Sequence, residues 1–294
     1  MIFEKGAVTG VDVRGGAPGT RETDLLNPVN LVDKAQAIYL SGGSAFGLDG
    51  ATGVMQYLEE QGIGFDVGFT KVPIIPAAVL FDLGVADFKA RPDVEMGYKA
   101  CLNASDKEYR EGNIGAGTGA TVGKVLGGMY CMKSGIGTAS LKCDKLIVGA
   151  IVAVNCFGDV IDPQCGKIIA GALKKDKKQF INTISYLKRN PLTKNDAGQF
   201  PANTTIGVIA TNAILTKAGA TKVAMMAQNG YARTIIPAHT MFDGDTIFCS
   251  ATNEAEAEVN LVGILAAEVM VQAVIKAVKN TESLYGLPSH SDLF

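Results

Sequence analysis

The stretch Asn203-Thr-Thr-Ile-Gly-Val-Ile-Ala-Thr-Asn212 has a close counterpart in Asp245-Thr-Ile-Phe-Cys-Ser-Ala-Thr-Asn253. Each contains an apolar run of strand length that ends in Ala-Thr-Asn and leads into a helical pattern, from about residue 213 and at 254–279. The Thr or Asn is a residue type suited to capping the next helix. The run at 147–155 consists almost entirely of Ile, Val and Ala, which is typical of a strand buried on both faces. Buried sheets with helices outside them predict a layered α/β or α+β body.

A polar loop precedes the first of these strands. Residues 189–203 contain Pro, Gly, Asn and Asp, which favour loops, and the apolar strand then begins with Thr204 and Thr205. A hydroxyl residue between a loop and a buried strand can have a functional role. On the local sequence alone, however, an ordinary strand start is the favoured interpretation.

The composition limits the classes of function. The chain has 294 residues, enough to bury a sizeable core, and a formal net charge of −2. A charge so close to zero indicates no broad attraction to nucleic acid or to an anionic membrane. The N-terminus has no basic region followed by an apolar stretch, so we expect a cytoplasmic protein without a secretory signal. The apolar segment 261–276 is interrupted by Glu268 and Gln272, and we expect a buried helix there rather than a membrane span.

Few residues are suited to binding a metal. The six Cys form no CxxC or CxxH pair, so we expect reduced, semi-buried side chains rather than disulfides or zinc ligands. With only two His, His239 and His290, the chain cannot form a multi-His metal site. We therefore expect neither a metal nor another cofactor.

The glycine-rich stretch 112–124 does not match a nucleotide-binding loop. A Walker loop needs Gly, and then Ser or Thr, at positions where this chain has Thr118 and Val125. The looser dinucleotide pattern at 115–120 lacks the apolar strand that must precede it. Two interpretations remain, a structural turn or a backbone that approaches a ligand or another segment closely, with Lys124 at its end.

Two further short motifs leave alternatives open. Ser44 lies between a strand and a helix, but a nucleophile elbow needs Gly where Phe46 stands, so we interpret Ser44 as a helix cap or a substrate-loop residue. The sequence Asp243-Gly-Asp245 between apolar runs favours a hairpin turn, although two carboxylates could also position an amine or share a proton. No Ser-His-Asp set is evident from the spacing around His239, which we interpret as structural.

Taken together, several segments resemble the DmpA aminopeptidase family, which includes β-peptidyl aminopeptidases and endo-type nylon-oligomer (6-aminohexanoate) hydrolases. The resemblance covers about residues 5–275. It is carried by residues 9–23 and 113–124 and by Leu40-Ser-Gly-Gly-Ser-Ala-Phe-Gly-Leu48, Val152-Ala-Val-Asn155, Asn203-Thr-Thr-Ile206 and His239-Thr-Met-Phe-Asp-Gly-Asp245. The Asn-Thr-Thr sequence is more similar to the nylon-oligomer branch than to the branch with Ser after Gly.

The resemblance implies an α+β fold of the αββα sandwich type, similar to that of ornithine acetyltransferases, with residues 1–294 in a single domain. It also implies self-cleavage between Asn203 and Thr204. The resulting subunits, 1–203 and 204–294, would stay associated and form a homo-oligomer such as a tetramer. The implied substrates are small peptides, amino-acid amides or ω-amino-acid oligomers.

The matching motifs also imply roles for single residues. Thr204 would be the nucleophile and Asn155 an oxyanion-stabilising side chain. Lys124 and the pair Asp243 and Asp245 would complete the catalytic site. For substrate binding, the candidates are Ser44 and Phe81, and Phe81 stands where some nylon-oligomer hydrolases have Tyr.

One departure from the family and two other functions remain to be weighed. Related chains carry an additional N-terminal segment ahead of the position of Met1, so either the gene start is misplaced or an edge element is missing. An acyltransferase of the ornithine acetyltransferase type would also cleave itself at a Thr, but it would pass the acyl group to an amine rather than to water. A non-catalytic binding protein would stay uncut.

Overall fold

The largest sheet of the protein has six strands. The structure is a computed structural model, and it describes residues 1–107, 109–193 and 203–294. The spatial order of the strands is β10 (Ile136–Cys143), β11 (Leu146–Ala153), β14 (Ile206–Ala213), β16 (Thr246–Ala255), β1 (Ile2–Val13) and β3 (Lys34–Ala37). Neighbouring strands are antiparallel except β14 and β16, which are parallel.

Two long helices cover one face of this sheet. Val152, Ile209 and Ile247 point to that face, where α4 (Lys217–Thr234) and α5 (Val259–Lys279) pack against each other and against the strands. Because side chains alternate along a strand, every second residue of the apolar runs enters this core.

The opposite face packs against a second, smaller sheet and a second pair of helices. Val208 and Phe248 of the large sheet share a core with Ala78, while the neighbouring Ala77 packs with Val54 and Leu58 on the far side. The small sheet has the order β2 (Gly19–Arg21), β7 (Ala77–Val79) and β4 (Tyr39–Ser41), and its helices are α1 (Gly50–Glu60) and α2 (Val94–Leu102). The layers are therefore helix, sheet, sheet and helix, which confirms the predicted α+β sandwich.

The remaining elements surround these layers. Short strands pair as β5 (Phe65–Asp66) with β6 (Lys71–Val72) and as β8 (Thr121–Val122) with β9 (Met132–Lys133). A third sheet has the order β13 (Lys167–Ala170), β12 (Asp159–Asp162) and β15 (Ile235–Ile236), and α3 spans Thr183–Arg189. Single 3-10 turns lie at Asp24–Leu26, Ser44–Asp49, Gly115–Gly117, Gly128–Tyr130 and His290–Asp292.

The long helices begin later than the sequence predicts. Strands β14 and β16 run through the Ala-Thr-Asn segments, and the caps lie beyond them. The side chain of Thr216 accepts the N–H of Gly219 at the start of α4, and Glu258 caps α5. Asn253 instead accepts the N–H of Leu215. Its side chain therefore links the end of β16 to the segment between β14 and α4. The predicted capping role of the Ala-Thr-Asn segments was therefore wrong.

Helix α5 is the most apolar long element. By length and composition it could cross a membrane, yet most of its apolar stretch is buried inside the fold. Its buried residues face β10, β11 and α4, as predicted for a core helix. All six cysteines are free, and Cys143 and Cys165 are exposed rather than semi-buried. The predicted loop 189–203 falls mainly on residues 194–202, which lie outside the described residues.

Candidate active site

The parallel pair β14 and β16 brings two distant segments together. Both strands begin at the same edge of the sheet, so the residues that precede them lie side by side. Asn203 forms a parallel bridge with Asp243, and the N–H of Thr205 donates to Asp245 Oδ1 at 2.9 Å. The Asp-Gly-Asp segment is therefore not the turn of a hairpin, because β15 before it belongs to a different sheet from β16.

The peptide bond between Asn203 and Thr204 lies at the centre of this arrangement. Thr204 is only 2% exposed. Its hydroxyl donates to the carbonyl oxygen of Asn203 at 2.5 Å, and the same oxygen accepts the N–H of Gly244 at 2.7 Å. The N–H of Thr204 donates to the carbonyl of Asn155 at 2.9 Å. A threonine hydroxyl thus lies beside a buried carbonyl that a backbone N–H polarises.

Asp243 is buried and supports the backbone around this peptide bond. Its Oδ1 accepts the N–H of Phe157 at 3.1 Å, and its Oδ2 accepts the N–H and the hydroxyl of Thr240 at 3.1 and 2.6 Å. Desolvation and the nearby charge of Asp245 raise the pKa of Asp243 to about 6. This carboxyl group therefore changes charge closer to neutral pH than an ordinary Asp.

Asp245 connects His239 to the start of β14. Its Oδ2 accepts the N–H of His239 at 3.0 Å and lies 2.9 Å from His239 Nδ1, while its Oδ1 holds the N–H of Thr205. The contact with Thr205 fixes the backbone directly after Thr204. Of the predicted pair of carboxylates, Asp245 thus binds the backbone next to the nucleophile candidate, whereas Asp243 binds the backbone of Phe157 and Thr240.

Asn155 connects Thr204 to Lys124. Its backbone carbonyl accepts the N–H of Thr204 and, at 3.3 Å, Lys124 Nζ. Its side-chain Oδ1 accepts Lys124 Nζ at 2.7 Å and the N–H of Thr121 at 3.0 Å. Its Nδ2 donates to the carbonyl of Phe81 at 2.9 Å. The amide group to which the family resemblance assigns the oxyanion therefore donates to a backbone carbonyl in this structure.

Two lysines of the site are buried. Desolvation lowers the pKa of Lys124 to about 8 and that of Lys133 to about 7. Lys133 Nζ donates to the carbonyls of Gly117 and Ala120, both at 2.9 Å, and to that of Ser134. Lys133 therefore links the backbone of the glycine-rich segment 112–124 to β9. Sequence reasoning missed Lys133, although a single Lys inside the apolar stretch 129–139 could have drawn attention to it.

Two cavities open beside this cluster. The first has a volume of about 590 Å³ and is lined by Phe81, Thr121 and Lys124, among others. The second has a volume of about 540 Å³ and is lined by Gly42 and by other residues of the glycine-rich loops. Four residues line both cavities, and we call this shared wall the waist: Asp82, Val85, Ala86 and Tyr285.

The predicted substrate-binding residues differ in their relation to these cavities. Phe81 lines the first cavity, whereas Ser44 is not among the residues that line either one. Ser44 is also not a helix cap, because Gly43 occupies the capping position of the 3-10 turn. Thr204 does not line either cavity, and hydrogen bonds through Asn155 connect it to Lys124, which lines the first one.

Besides Lys133, two further functional candidates were not recognised in the sequence. Gly244 supplies the N–H on the Asn203 carbonyl, a backbone role that no side-chain pattern reveals. Asp82 belongs to no motif in the sequence, yet it is the acidic residue of the waist. Its role depends on the approach of two glycine loops that are far apart in the sequence.

Solved structures share this fold. A protein from Pyrococcus horikoshii superimposes with a TM-score of 0.68 at 22% identity, covering 98% of this chain and 77% of the other. The L-aminopeptidase D-Ala-esterase/amidase of Ochrobactrum anthropi, described as a variant of the Ntn hydrolase fold, superimposes with a TM-score of 0.64 at 17% identity, covering 96% of this chain and 76% of the other. The fold is therefore that of the N-terminal-nucleophile hydrolases.

Sequence comparisons identify the family. The model of peptidase family S58 matches residues 1–291. An uncharacterized aminopeptidase of Mycobacterium leprae is 42% identical over 323 residues, covering 100% of this chain and 85% of the relative. A 6-aminohexanoate-oligomer endohydrolase of Kocuria sp. is 29% identical, covering 93% of this chain and 78% of the relative. The chain belongs to peptidase family S58, which confirms the resemblance seen in its motifs and makes the protein an amide hydrolase of the peptidase class.

Proposed function

We propose that the chain cleaves itself between Asn203 and Thr204 and then hydrolyses small amides through an ester on Thr204. The observation that carries this proposal is the pair of contacts on the Asn203 carbonyl oxygen, from the Thr204 hydroxyl and from the N–H of Gly244. A nucleophile and an oxyanion donor at one buried carbonyl are the two groups that acyl transfer requires.

The self-cleavage has two steps. Thr204 Oγ attacks the carbonyl carbon of Asn203, and the C–N bond breaks as the nitrogen takes up a proton. The acyl group has then moved from nitrogen to oxygen and forms an ester. Water hydrolyses this ester, which leaves a carboxylate on Asn203 and both a free hydroxyl and a free α-amine on Thr204. The N–H of Gly244 stabilises the negative charge that develops on the carbonyl oxygen in both steps.

The same groups serve the mature enzyme. The new α-amine has a reference pKa of about 7.7 to 8.0, so its neutral form can take the proton of the hydroxyl near neutral pH. The carbonyl of Asn155, which accepts the N–H of Thr204 in the uncut chain, holds this amine in place. The N–H of Gly244 is released from Asn203 and becomes available to the carbonyl oxygen of a substrate. Lys124, bound to both oxygens of Asn155, keeps that residue in position.

The substrates that we propose are small peptides, amino-acid amides and ω-amino-acid oligomers. Support comes from the relatives, one named an aminopeptidase and one a 6-aminohexanoate-oligomer endohydrolase. The volumes of the two cavities, about 590 and 540 Å³, fall in the range of ligand-sized pockets. Both cavities are bounded by short loops and turns, so they suit a short chain better than a folded protein.

The first experiment is a mass measurement on freshly purified, denatured protein. We expect two products, residues 1–203 and 204–294, from the natural chain, and one uncut mass from the Thr204→Ala variant. Thr205→Ala is the matched control, because Thr205 is equally buried and its hydroxyl has no hydrogen-bond partner among the described residues. An uncut natural chain, or cleavage that persists in Thr204→Ala, would refute the proposal.

A second measurement separates hydrolysis from acyl transfer. The cleaved enzyme is supplied with an amino-acid p-nitroanilide, with and without a free amine acceptor. If water is the acceptor, nitroaniline is released at a similar rate in both conditions and the free amino acid accumulates. Release that requires the amine, with a new amide as the product, would instead identify the acyltransferase alternative.

A further inference from the structure

We propose that Lys133 is a positioning residue of the active site, which acts on Asn155 through the peptide group that precedes Thr121. Only the ammonium form of Lys133 can hold this peptide group fully. The reaction rate therefore depends on the protonation of a residue that lines neither cavity. This effect on the rate rests on the proposed function, whereas the connection between Lys133 and Asn155 does not.

The ammonium group of Lys133 has as many donors as there are acceptors around it. The side chain is fully buried, and its Nζ donates to the backbone carbonyls of Gly117, Ala120 and Ser134. An ammonium group carries three N–H donors, so each carbonyl receives one. A neutral amine carries two N–H donors and a lone pair, so one of the three carbonyls loses its donor. Deprotonation of Lys133 therefore removes a buried hydrogen bond, which is costly inside a protein.

One of these carbonyls belongs to the peptide group that binds Asn155. The Ala120 carbonyl accepts Lys133 Nζ at 2.9 Å and the N–H of Ser134 at 3.0 Å. At the other end of the same peptide group, the N–H of Thr121 donates to Asn155 Oδ1 at 3.0 Å. Donors at its carbonyl polarise a peptide group and strengthen the hydrogen bond that its N–H donates. The charge of Lys133 therefore acts on Asn155 through a single peptide group.

Asn155 links this peptide group to the reacting groups. Its backbone carbonyl accepts the N–H of Thr204 at 2.9 Å, at the peptide bond that we propose is cleaved. Its Oδ1 is held by the N–H of Thr121 and by Lys124 Nζ, the latter at 2.7 Å. Catalytic groups tolerate only small displacements from their productive geometry. A weaker hydrogen bond from Thr121 should therefore loosen Asn155 and slow the reaction.

The surroundings of Lys133 place its change of charge near neutral pH. Desolvation is the main reason that the pKa of Lys133 falls to about 7. The nearby Asp82 and Cys131 raise this pKa, and the charge of Lys124 lowers it. Asp82 packs against the glycine-rich segment, where a Cβ atom at Gly119 would lie 2.3 Å from its Oδ2. The ammonium form therefore holds the peptide group below about pH 7, and the neutral amine releases one carbonyl above it.

The first test follows the amide signal of Thr121 by NMR in protein labelled with ¹⁵N-threonine. The parent protein carries Thr204→Ala, so the result does not depend on catalysis, and the loss of one signal in Thr121→Ser assigns it. We expect the proton shift of this amide to move upfield as pH rises through about 7, because its hydrogen bond weakens. In Lys133→Met this step should be absent.

The matched control is Lys217→Met. Lys217 is also buried, and its Nζ also donates to three backbone carbonyls, those of Leu25, Asn30 and Val32. None of these four residues lines either cavity, so we expect the Thr121 step to remain in this variant. A step near pH 7 that survives in Lys133→Met would overturn the proposal. A parent protein without the step would overturn it as well, and that result requires no variant at Lys133 to fold.

The second test compares hydrolysis of an amino-acid p-nitroanilide by the natural protein and by Lys133→Met, at pH 6 and at pH 9. The ionisation of the Thr204 α-amine is common to both proteins, so it cancels in the ratio of their kcat values. We expect the natural protein to be about tenfold faster at pH 6, as for the loss of a hydrogen bond to a charged group. At pH 9 its own Lys133 is neutral, and the ratio should fall to about threefold or less. An equal loss at both pH values would indicate a merely structural role and overturn the proposal.

The two tests distinguish failure of this proposal from failure of the proposed function. A Thr121 step that requires Lys133, in a protein that neither cleaves itself nor hydrolyses the amide, would support the connection to Asn155 and refute only the proposed function. An active enzyme without the step would refute only the role of Lys133.

Discussion

At the scale of single residues, the N–H of Gly244 is the group with the most direct effect on the scissile carbonyl. A Cβ atom at this position would lie 2.5 Å from the carbonyl oxygen of Ala17 and 2.6 Å from Thr204 Oγ1. We therefore expect Gly244→Ala to displace the N–H and to slow self-cleavage by about 100-fold or more, as for the loss of an oxyanion donor. The uncut fraction is followed over time by mass spectrometry.

The matched control for this variant is Gly219→Ala, at the start of α4. Its Cβ would be in ordinary contact, 3.4 Å from the nearest atom. We expect this variant to cleave at the natural rate. If Gly244→Ala cleaved itself as fast as Gly219→Ala and kept the thermal unfolding midpoint of the natural protein, the N–H of Gly244 would have no part in the reaction.

The raised pKa of Asp243, about 6, predicts a pH-dependent contribution to stability. A carboxyl group with a higher pKa when folded binds more protons in the folded state. Its stabilising contribution is therefore complete below about 4, the unfolded value, and is lost as pH rises through about 6. Asn at this position does not titrate. Relative to the parent protein, the free energy of unfolding of Asp243→Asn should thus increase between pH 4 and pH 6.5, by on the order of 2 kcal/mol.

Urea unfolding at the two pH values measures this difference. Both proteins carry Thr204→Ala, so that each remains one uncut chain and unfolds as a single molecule. Parallel stability curves for Asp243→Asn and its parent would show that the buried carboxyl group titrates alike in the folded and unfolded states.

At the scale of secondary structure elements, the contact between the large sheet and α5 depends on close backbone approach. A Cβ atom at Gly137 in β10 would lie 2.0 Å from the carbonyl oxygen of Ala273. We expect Gly137→Ala to lower the free energy of unfolding by about 3 kcal/mol, because helix and sheet must separate. Gly149→Ala in the neighbouring β11 has its nearest contact at 3.6 Å and should change stability by less than about 1 kcal/mol. The midpoints of urea unfolding, measured with Thr204→Ala present in both proteins, test the difference between the two variants.

The secondary structure elements could be predicted from the sequence more completely than the active site could. Apolar alternation and long apolar runs report burial directly, so the cores of β11, β14 and β16 were predicted correctly. The helix starts were placed early because Asn212 and Asn253 bind the backbone of other segments instead of capping a helix. The partner of the Asn155 amide is the backbone carbonyl of Phe81. It could not be predicted, because every residue type carries such a carbonyl.

At the scale of the whole molecule, the proposed subunits are interleaved in one sheet. Strands β14 and β16 come from residues 204–294, and they lie between β11 and β1, which come from residues 1–203. Helix α5 of the small subunit also packs on β10 and β11 of the large one. Cutting one peptide bond removes none of these contacts.

We therefore expect the two subunits to remain together after complete cleavage. In size-exclusion chromatography at neutral pH, the cleaved protein should elute as one peak at the volume of the uncut Thr204→Ala chain. Separate peaks should appear only in denaturant. Dissociation under native conditions would contradict the strand order described above.

The same strand order determines how the unfolded protein can refold. The uncut chain carries all six strands, so its refolding rate should not depend on protein concentration. After cleavage, β14 and β16 must find their neighbours on a separate molecule, and recovery becomes a second-order reaction that dilution slows. The uncut chain folds alone, whereas the cleaved protein can refold only when its two subunits meet. Heat or denaturant should therefore inactivate the mature enzyme less reversibly than its precursor.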